Sequence, residues 1–363
     1  MGNAFVAVVD NKDALYYNPA GLNLINALGN PSRRPGIIYP RNRMDLRMDV
    51  AGITLPAIGD MLDYWRIYGQ HQNSFSNSDS LRNDPTLESA LLPYDRRPVP
   101  LGVLHGAELA VHNFGLAYWA EAKVAPYADE GVLLPQAGVQ RVQVDAVIQI
   151  AGARGFLNDK LSVGAGYRLA NRQHMENYQF AASDIGNRHQ FIQSLADTLS
   201  GKLDNYADPL SYGHGLDLGA LWQQTPWLRF GAALQNLGMF LNGIPVTPDF
   251  TVGAAATPSI LQREGRLGRK VNFAADLEDL LNNDRNYKPL NKINFGAEVE
   301  QKLWWIASLR LGGGFKGGYW TAGFGLSLFK SLHLDAVSWA EEAGYYTGQT
   351  EDRHFAVNVG LGI

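Results

Sequence analysis

Gly312-Gly313-Gly314-Phe315-Lys316-Gly317 carries the G-x-G-x-x-G spacing with which nucleotide-binding proteins bring bare backbone against a pyrophosphate. That chemistry needs a helix opening on the last glycine. Here the string lies between two alternating stretches, so no dinucleotide site is expected. Asp276, Glu278, Asp279 and Asp284 form an acidic patch whose chemistry suits a surface calcium ion, and equally a solvated loop. His333 and Asp335 stand two apart, on one face of a strand, where proton transfer and a plain polar network would both fit. The 8 His residues form no H-E-x-x-H, no G-x-S-x-G occurs and there is no Cys. The chain is therefore expected not to be an enzyme and to need no cofactor or metal.

The remaining chemistry is charge at regular spacing. Arg43, Met44, Asp45, Leu46, Arg47, Met48, Asp49 and Val50 alternate strictly between charged and apolar. Arg141 and Asp145 interleave with Val142, Val144 and Ala146, and Arg168 follows Tyr167 in the same manner. A period of two places the charges on one side of a strand and the apolar residues on the other. Arg43, Asp45, Arg47, Asp49, Arg141, Asp145 and Arg168 are accordingly read as one interior polar network, with Arg229, Glu298 and Arg310 sharing their parity.

These residues need elements with a dry outside and a wet inside. The chain has 363 residues, 39 of them Gly, with 18% charged, 46% hydrophobic and a formal net charge of −4. Such hydrophobicity is too high for disorder. A pI near 6.1 without basic blocks gives no footprint for nucleic acid. No run of about 18 apolar residues occurs and mean hydropathy is −0.18, which excludes a helical membrane protein. A transmembrane β-barrel survives, because it is only mildly hydrophobic on average.

Fourteen strands are expected near 44–55, 99–112, 114–125, 139–151, 160–175, 211–223, 227–238, 249–258, 269–277, 291–301, 306–315, 319–329, 331–340 and 353–363. Many exceed the roughly 5–6 residues of soluble strands and match the roughly 9–11 that cross a bilayer. In the alternating segments the apolar face carries no charge at its centre, as the cost of about 2–4 kcal/mol for a midplane Lys or Arg demands. His105 and His214 fall on apolar parity and are expected in an interfacial girdle or beyond a register break. Long connections alternate with tight turns, so the odd-numbered connections face outward and both termini the periplasm. Two outward connections, 57–97 and 183–205, carry helix-like spacing, as in Met61, Leu62, Trp65 and Tyr68.

Residues 1–42 depart from this pattern. Gly2-Asn3-Ala4-Phe5-Val6-Ala7-Val8-Val9-Asp10, followed by Ala14-Leu15-Tyr16-Tyr17-Asn18-Pro19-Ala20-Gly21-Leu22, resembles the N-terminal hatch of the FadL-type outer-membrane barrels. The stretch from Gly312 to Gln349 is similar to the PorV-like and conjugation-associated branch of that group. The resemblance implies a fourteen-stranded barrel, residues 43–363, with residues 1–42 folded inside it as a plug. In Asn18-Pro19-Ala20-Gly21, Pro19 drives Asn18 out of the helical region, Asn18 can close a side-chain-to-backbone turn, and Gly21 can take a positive φ. The final strand resembles an outer-membrane insertion signal, though it ends in Ile363 where Phe is common. Since the hatch motif begins at residue 1 and no signal peptide precedes it, the chain is expected to be a processed or trimmed form.

The resemblance implies passive uptake of hydrophobic small molecules such as fatty acids or hydrocarbons across a Gram-negative outer membrane. Trp65, Tyr68 and Tyr94 would capture them at the lipopolysaccharide level, and Phe5, Tyr16 and Tyr17 would line the path, the Asn18 to Gly21 turn serving as a latch. The competing expectation is a non-transporting barrel that binds protein partners of a secretion or surface machinery at its outward loops. The many interior charges favour a sealed interior.

Overall fold

The computed structural model describes residues 1–25, 44–56, 58–72, 86, 89–90, 101–129, 136–180, 212–241, 244–263, 267–283, 289–303, 306–329, 331–342 and 351–362. Its strands are β1 (Met44–Pro56), β2 (Leu101–Val111), β3 (Phe114–Asp129), β4 (Gln136–Phe156), β5 (Leu161–Phe180), β6 (Tyr212–Thr225), β7 (Leu228–Leu237), β8 (Phe240–Leu241), β9 (Ile244–Pro245), β10 (Asp249–Ala256), β11 (Arg269–Leu277), β12 (Ile293–Leu303), β13 (Ala307–Lys316), β14 (Tyr319–Leu328), β15 (Leu332–Glu342) and β16 (Glu351–Gly362). Apart from β8 and β9, which pair only with each other, all form a single closed antiparallel barrel in chain order, β1 sealing against β16. The fourteen barrel strands are those expected from the alternation. Closure leaves no edge, so backbone polar groups within the wall are satisfied between neighbours.

Lipid and lumen impose opposite demands on successive residues, and the strands show it. In β1, Leu46, Met48 and Val50 are exposed on the outside while Arg47 and Asp49 are buried inside. Phe295, Leu311, Phe315, Trp320, Phe324, Val359 and Leu361 continue the exposed apolar face around the barrel. His105 lies on that face with its ring 5.4 Å from Tyr118, and His214 with its ring 6.3 Å from Tyr167. Arg154 and Arg353 reach outer parity only near strand ends, each over an aromatic ring, Phe156 and Trp320. Long cationic side chains at such places keep the charge out of the hydrocarbon.

Three features go beyond the alternation. The register of β1 slips against both neighbours just after Asp49, so a bulge turns Gly52 rather than Ala51 inward. β4 and β5 run to 21 and 20 residues, past what a bilayer requires, and pair out to Ala137 and Phe180. The connection after β7, one of the long outward ones by sequence, folds into the barrel as the β8–β9 hairpin. Met239 and Leu241 there pack on Val147 and Ala170.

After the single turn α1 (Ala14–Tyr17), the expected helix in 57–97 is α2 (Ile58–Gln70), with Ile67 buried and Leu62 and Trp65 exposed. Segment 183–205, Tyr94 and Asp284 lie outside the described residues.

Candidate functional site

Residues 1–25 run through the lumen and touch its wall on nearly every side. The Gly2 amide donates to Thr321 Oγ1 of β14 (3.1 Å), the Val6 amide to Asp276 Oδ2 of β11 (2.9 Å), and Asn23 Nδ2 to Ser162 Oγ of β5 (2.8 Å). At the short-turn end the Asn113 amide donates to the Leu22 carbonyl (3.0 Å), and His112 Nδ1 lies 2.7 Å from the Ile25 carbonyl. Val9, Ala14, Leu15, Leu22 and Ile25 make an apolar cluster with Ala110, Ala117 and Ala151 of the wall.

The wall admits this segment because it lacks side chains where the two backbones meet. A β-carbon on Gly164 would strike Pro19 and Ala20, one on Gly231 would strike Val6 and Ala7, and one on Gly314 would strike Gly2. The glycine content of the sequence is thus partly a track of close approach along the inner wall.

Asn18 is fully buried at the centre of this contact. Pro19 holds it extended at φ −160°, ψ 103°, and its Oδ1 accepts from the Ala20 amide (3.2 Å), starting the 3-10 turn Pro19–Leu24. Its Nδ2 donates to the carbonyls of Val6 (2.9 Å), Ala220 of β6 (3.1 Å) and Ala232 of β7 (3.3 Å). One carboxamide therefore ties the segment to itself and to two strands. Pro19, Ala20 and Gly21 are buried beside it. Gly21 is not at positive φ, contrary to expectation. The 3-10 turn continues through it, and its lack of a side chain makes room for Val9, whose carbonyl would lie 2.7 Å from an added β-carbon.

Phe5 and Tyr17 stack at 4.8 Å, and Tyr16 meets Trp119 of β3 edge-on at 5.0 Å. Tyr17 donates to Asn3 Oδ1 (3.1 Å) and Tyr16 to Glu108 of β2, which also pairs with Lys12 at 2.7 Å. Burial and then Glu108 push the Tyr16 phenol well above its ordinary range. Burial works against the Asp13 carboxylate, but Lys12 and Arg310 more than offset it, leaving Asp13 below the usual carboxylate range. Trp65, grouped with these from sequence, stands apart on α2 and is 77% exposed. The Tyr68 side chain lies outside the described residues.

Among the described residues, the interior charges fall into separate groups where one network was expected. Arg47 pairs with Asp49 (2.5 Å) and, across the wall, with Asp335 (2.6 Å), which Arg310 approaches at 3.5 Å. Asp145 pairs with Arg172 (2.7 Å) and accepts from Gln143 (2.6 Å). Arg168 pairs with Asp217 (2.8 Å), which also takes Gln149 and the Asn236 amide. Parity puts all of these in the lumen, but a carboxylate is reached only from its own or a nearby strand, which divides them into three groups. Arg43 and the side chains of Asp45 and Arg141 lie outside the described residues. His333 contacts Ser327 (Nδ1 to Oγ, 2.9 Å), and Asp335 is occupied by the arginines. The acidic patch is partly neutralised, Lys292 pairing with Asp279 at 2.8 Å.

Sequence reasoning passed over Trp119, Met239 and Leu241. Trp119 packs both on the cluster around Val9 and Leu15 and on that of Met239 and Leu241. Its parity with Ala117 and Glu121 was the available signal, since a bulky aromatic among lumen-facing small and polar residues is out of pattern.

No family model and no curated protein matches this sequence. Among solved structures, the chain is similar to a deltaS2 mutant of the TodX monoaromatic hydrocarbon channel, at 13% identity and TM-score 0.52, over 100% of this chain and 96% of that one. The Pseudomonas putida toluene transporter TodX matches at 12% identity and TM-score 0.45, over 100% and 95%. At such identity the first likeness is one of architecture: the chain has the FadL-type fold, a closed barrel of fourteen antiparallel strands.

Proposed function

We propose that this chain is an outer-membrane channel of the FadL type that passes hydrophobic small molecules passively inward, with residues 1–42 as its hatch. The observation that carries the reading is the apolar contact path through the lumen. It runs from Met239 and Leu241 of the inward hairpin, over Trp119, to Tyr16, Tyr17 and Phe5 of the N-terminal segment. Apolar surface inside a wetted barrel is costly unless something apolar covers it. A solute that follows such a path exchanges one apolar contact for the next. TodX, whose fold this chain shares, is described as a monoaromatic hydrocarbon channel, and small aromatic hydrocarbons are the first solutes to test.

The second reading, a sealed barrel that binds protein partners at its outward end, is favoured by the lumen ion pairs and by exposed Leu62 and Trp65 on α2. Reconstitution into liposomes separates the two. Uptake of labelled toluene above that of protein-free vesicles, lost in Trp119→Asp, supports the channel. Leak-level uptake, together with a stoichiometric protein co-purifying from native membranes, supports the sealed barrel.

A further inference from the structure

At the short-turn end of the barrel a small cavity lies between Val8 and Asp10 of the N-terminal segment and the wall, lined there by Gln223, Trp227, Arg229, Thr257, Lys270 and Asn272, among others. We propose that this cavity binds a single small anion of carboxylate or halide size, held chiefly by the Arg229 guanidinium.

Lys270 is neutralised by Asp10 at 2.9 Å. Arg229 has no carboxylate within ion-pair distance among the described residues; its neighbours are the neutral oxygens of Gln223, at 2.9 Å from Nε, and of Ala7 and Val8, both 3.4 Å from Nη1. Asp10 is thus taken up by Lys270, which also faces Glu300 across the β11–β12 pairing, and only neutral oxygens lie within hydrogen-bonding reach of Arg229. A guanidinium carries five donors, and a charge withdrawn from bulk water needs either water or a counter-ion.

The neighbouring side chains are arranged as for an acceptor. Gln223 Nε2 donates to the Thr225 carbonyl (2.6 Å), which fixes the amide so that its oxygen takes the Arg229 Nε proton and holds the guanidinium plane. The Thr257 hydroxyl donates to Asn272 Oδ1 (3.1 Å), which leaves the Asn272 amide nitrogen as a spare donor on the cavity wall. The cavity holds about 20 Å³ of free space, and a water needs roughly 10–15 Å³ by the same measure. A carboxylate oxygen pair or a halide fits that room, and one guanidinium with one amide as donors suits a monoanion better than a doubly charged phosphate. Bound there, the anion would also brace Ala7 and Val8 through Arg229, so its occupancy and the seating of the N-terminal segment are coupled.

The test uses the full chain, refolded in detergent and dialysed into a buffer whose only anion is a bulky sulfonate. Formate and bromide are titrated separately at constant ionic strength, with Trp fluorescence and calorimetry as readouts. The expected result is saturable binding of both, at least tenfold weaker in Arg229→Gln and weakened in Asn272→Leu, with phosphate ineffective at the same concentrations. Should Arg229→Gln fail to fold, Asn272→Leu and the formate-to-phosphate selectivity of the unaltered protein carry the test. Absence of saturation, equal response to all three anions, or unchanged affinity in the variants overturns the proposal.

Discussion

The carboxamide of Asn18 occupies the space that a β-carbon on Gly219 would fill. The two residues lie 201 positions apart in sequence, and their fit decides whether the N-terminal segment can lie against β6. Asn18→Ala leaves the Val6, Ala220 and Ala232 carbonyls short of a donor, at about 1–3 kcal/mol. Gly219→Ala forces the same carboxamide off its site by collision. In both variants hydrogen exchange in residues 5–22 should accelerate while the barrel keeps its strand content by circular dichroism. Asn18→Gly combined with Gly219→Ala should cost less than the sum of the two, because the first removes the atoms that the second would strike. Strict additivity would show that the two side chains do not meet.

Arg47 and Asp335 join β1 to β15 across β16, beside the seam where the barrel closes. Asp335→Asn keeps the shape but leaves Arg47 with Asp49 alone and takes the carboxylate from Arg310. The expected loss is about 1.5–3 kcal/mol, nearer the lower figure because the Asp335 side chain is 30% exposed. Urea unfolding in detergent reads it. Replacing the triad together, Arg47→Met with Asp49→Leu and Asp335→Leu, should recover part of the loss, since apolar groups of similar volume leave neither Arg47 nor Asp49 as a stranded charge. A triple variant weaker than Asp335→Asn would contradict this account.

The barrel was legible in the sequence because the bilayer enforces it: residues such as Leu46, Met48 and Val50 have no polar alternative on the lipid side, so alternation marks every strand. The lumen is less exacting. Parity placed Arg47, Asp145 and Arg168 inside without choosing their partners, because Asp335, Arg172 and Asp217 are brought to them by strand order and register. The hairpin from Phe240 to Pro245 was illegible for a related reason. Its inward fold depends on the absence of side chains at Gly213 and Gly215, where Phe240 and Met239 lie close, and a glycine's use as clearance appears only once the neighbour is known.

Asp13 makes the seating of the N-terminal segment sensitive to acid. Its folded pKa is depressed, so its contribution is present above the ordinary carboxyl value of about 3.9 and is lost as pH falls through the lower folded value. Exchange protection around Lys12 to Tyr17 should hold from neutral pH down to about 4 and fall below it. Asp13→Asn should lower protection at neutral pH and flatten the acid transition. An unchanged transition in that variant would assign the acid sensitivity to another carboxylate.

Trp119 is the residue where structure and proposed transport bear most directly on each other. It touches the inward hairpin on one side and Tyr16 on the other, so its removal interrupts the apolar path between them. Truncation also deletes packing, and an aromatic-to-alanine change in a full core costs about 3–5 kcal/mol; Trp119 is only partly buried, so its cost should fall below that range. Stability and uptake must therefore be read together. Trp119→Leu preserves apolar surface and should retain most toluene uptake, whereas Trp119→Gln, of intermediate size but polar, should reduce it several-fold at similar stability. If both variants lose uptake equally, the residue acts by shape alone. If neither does, solutes do not pass between the hairpin and Tyr16, and the lumen path proposed here is wrong.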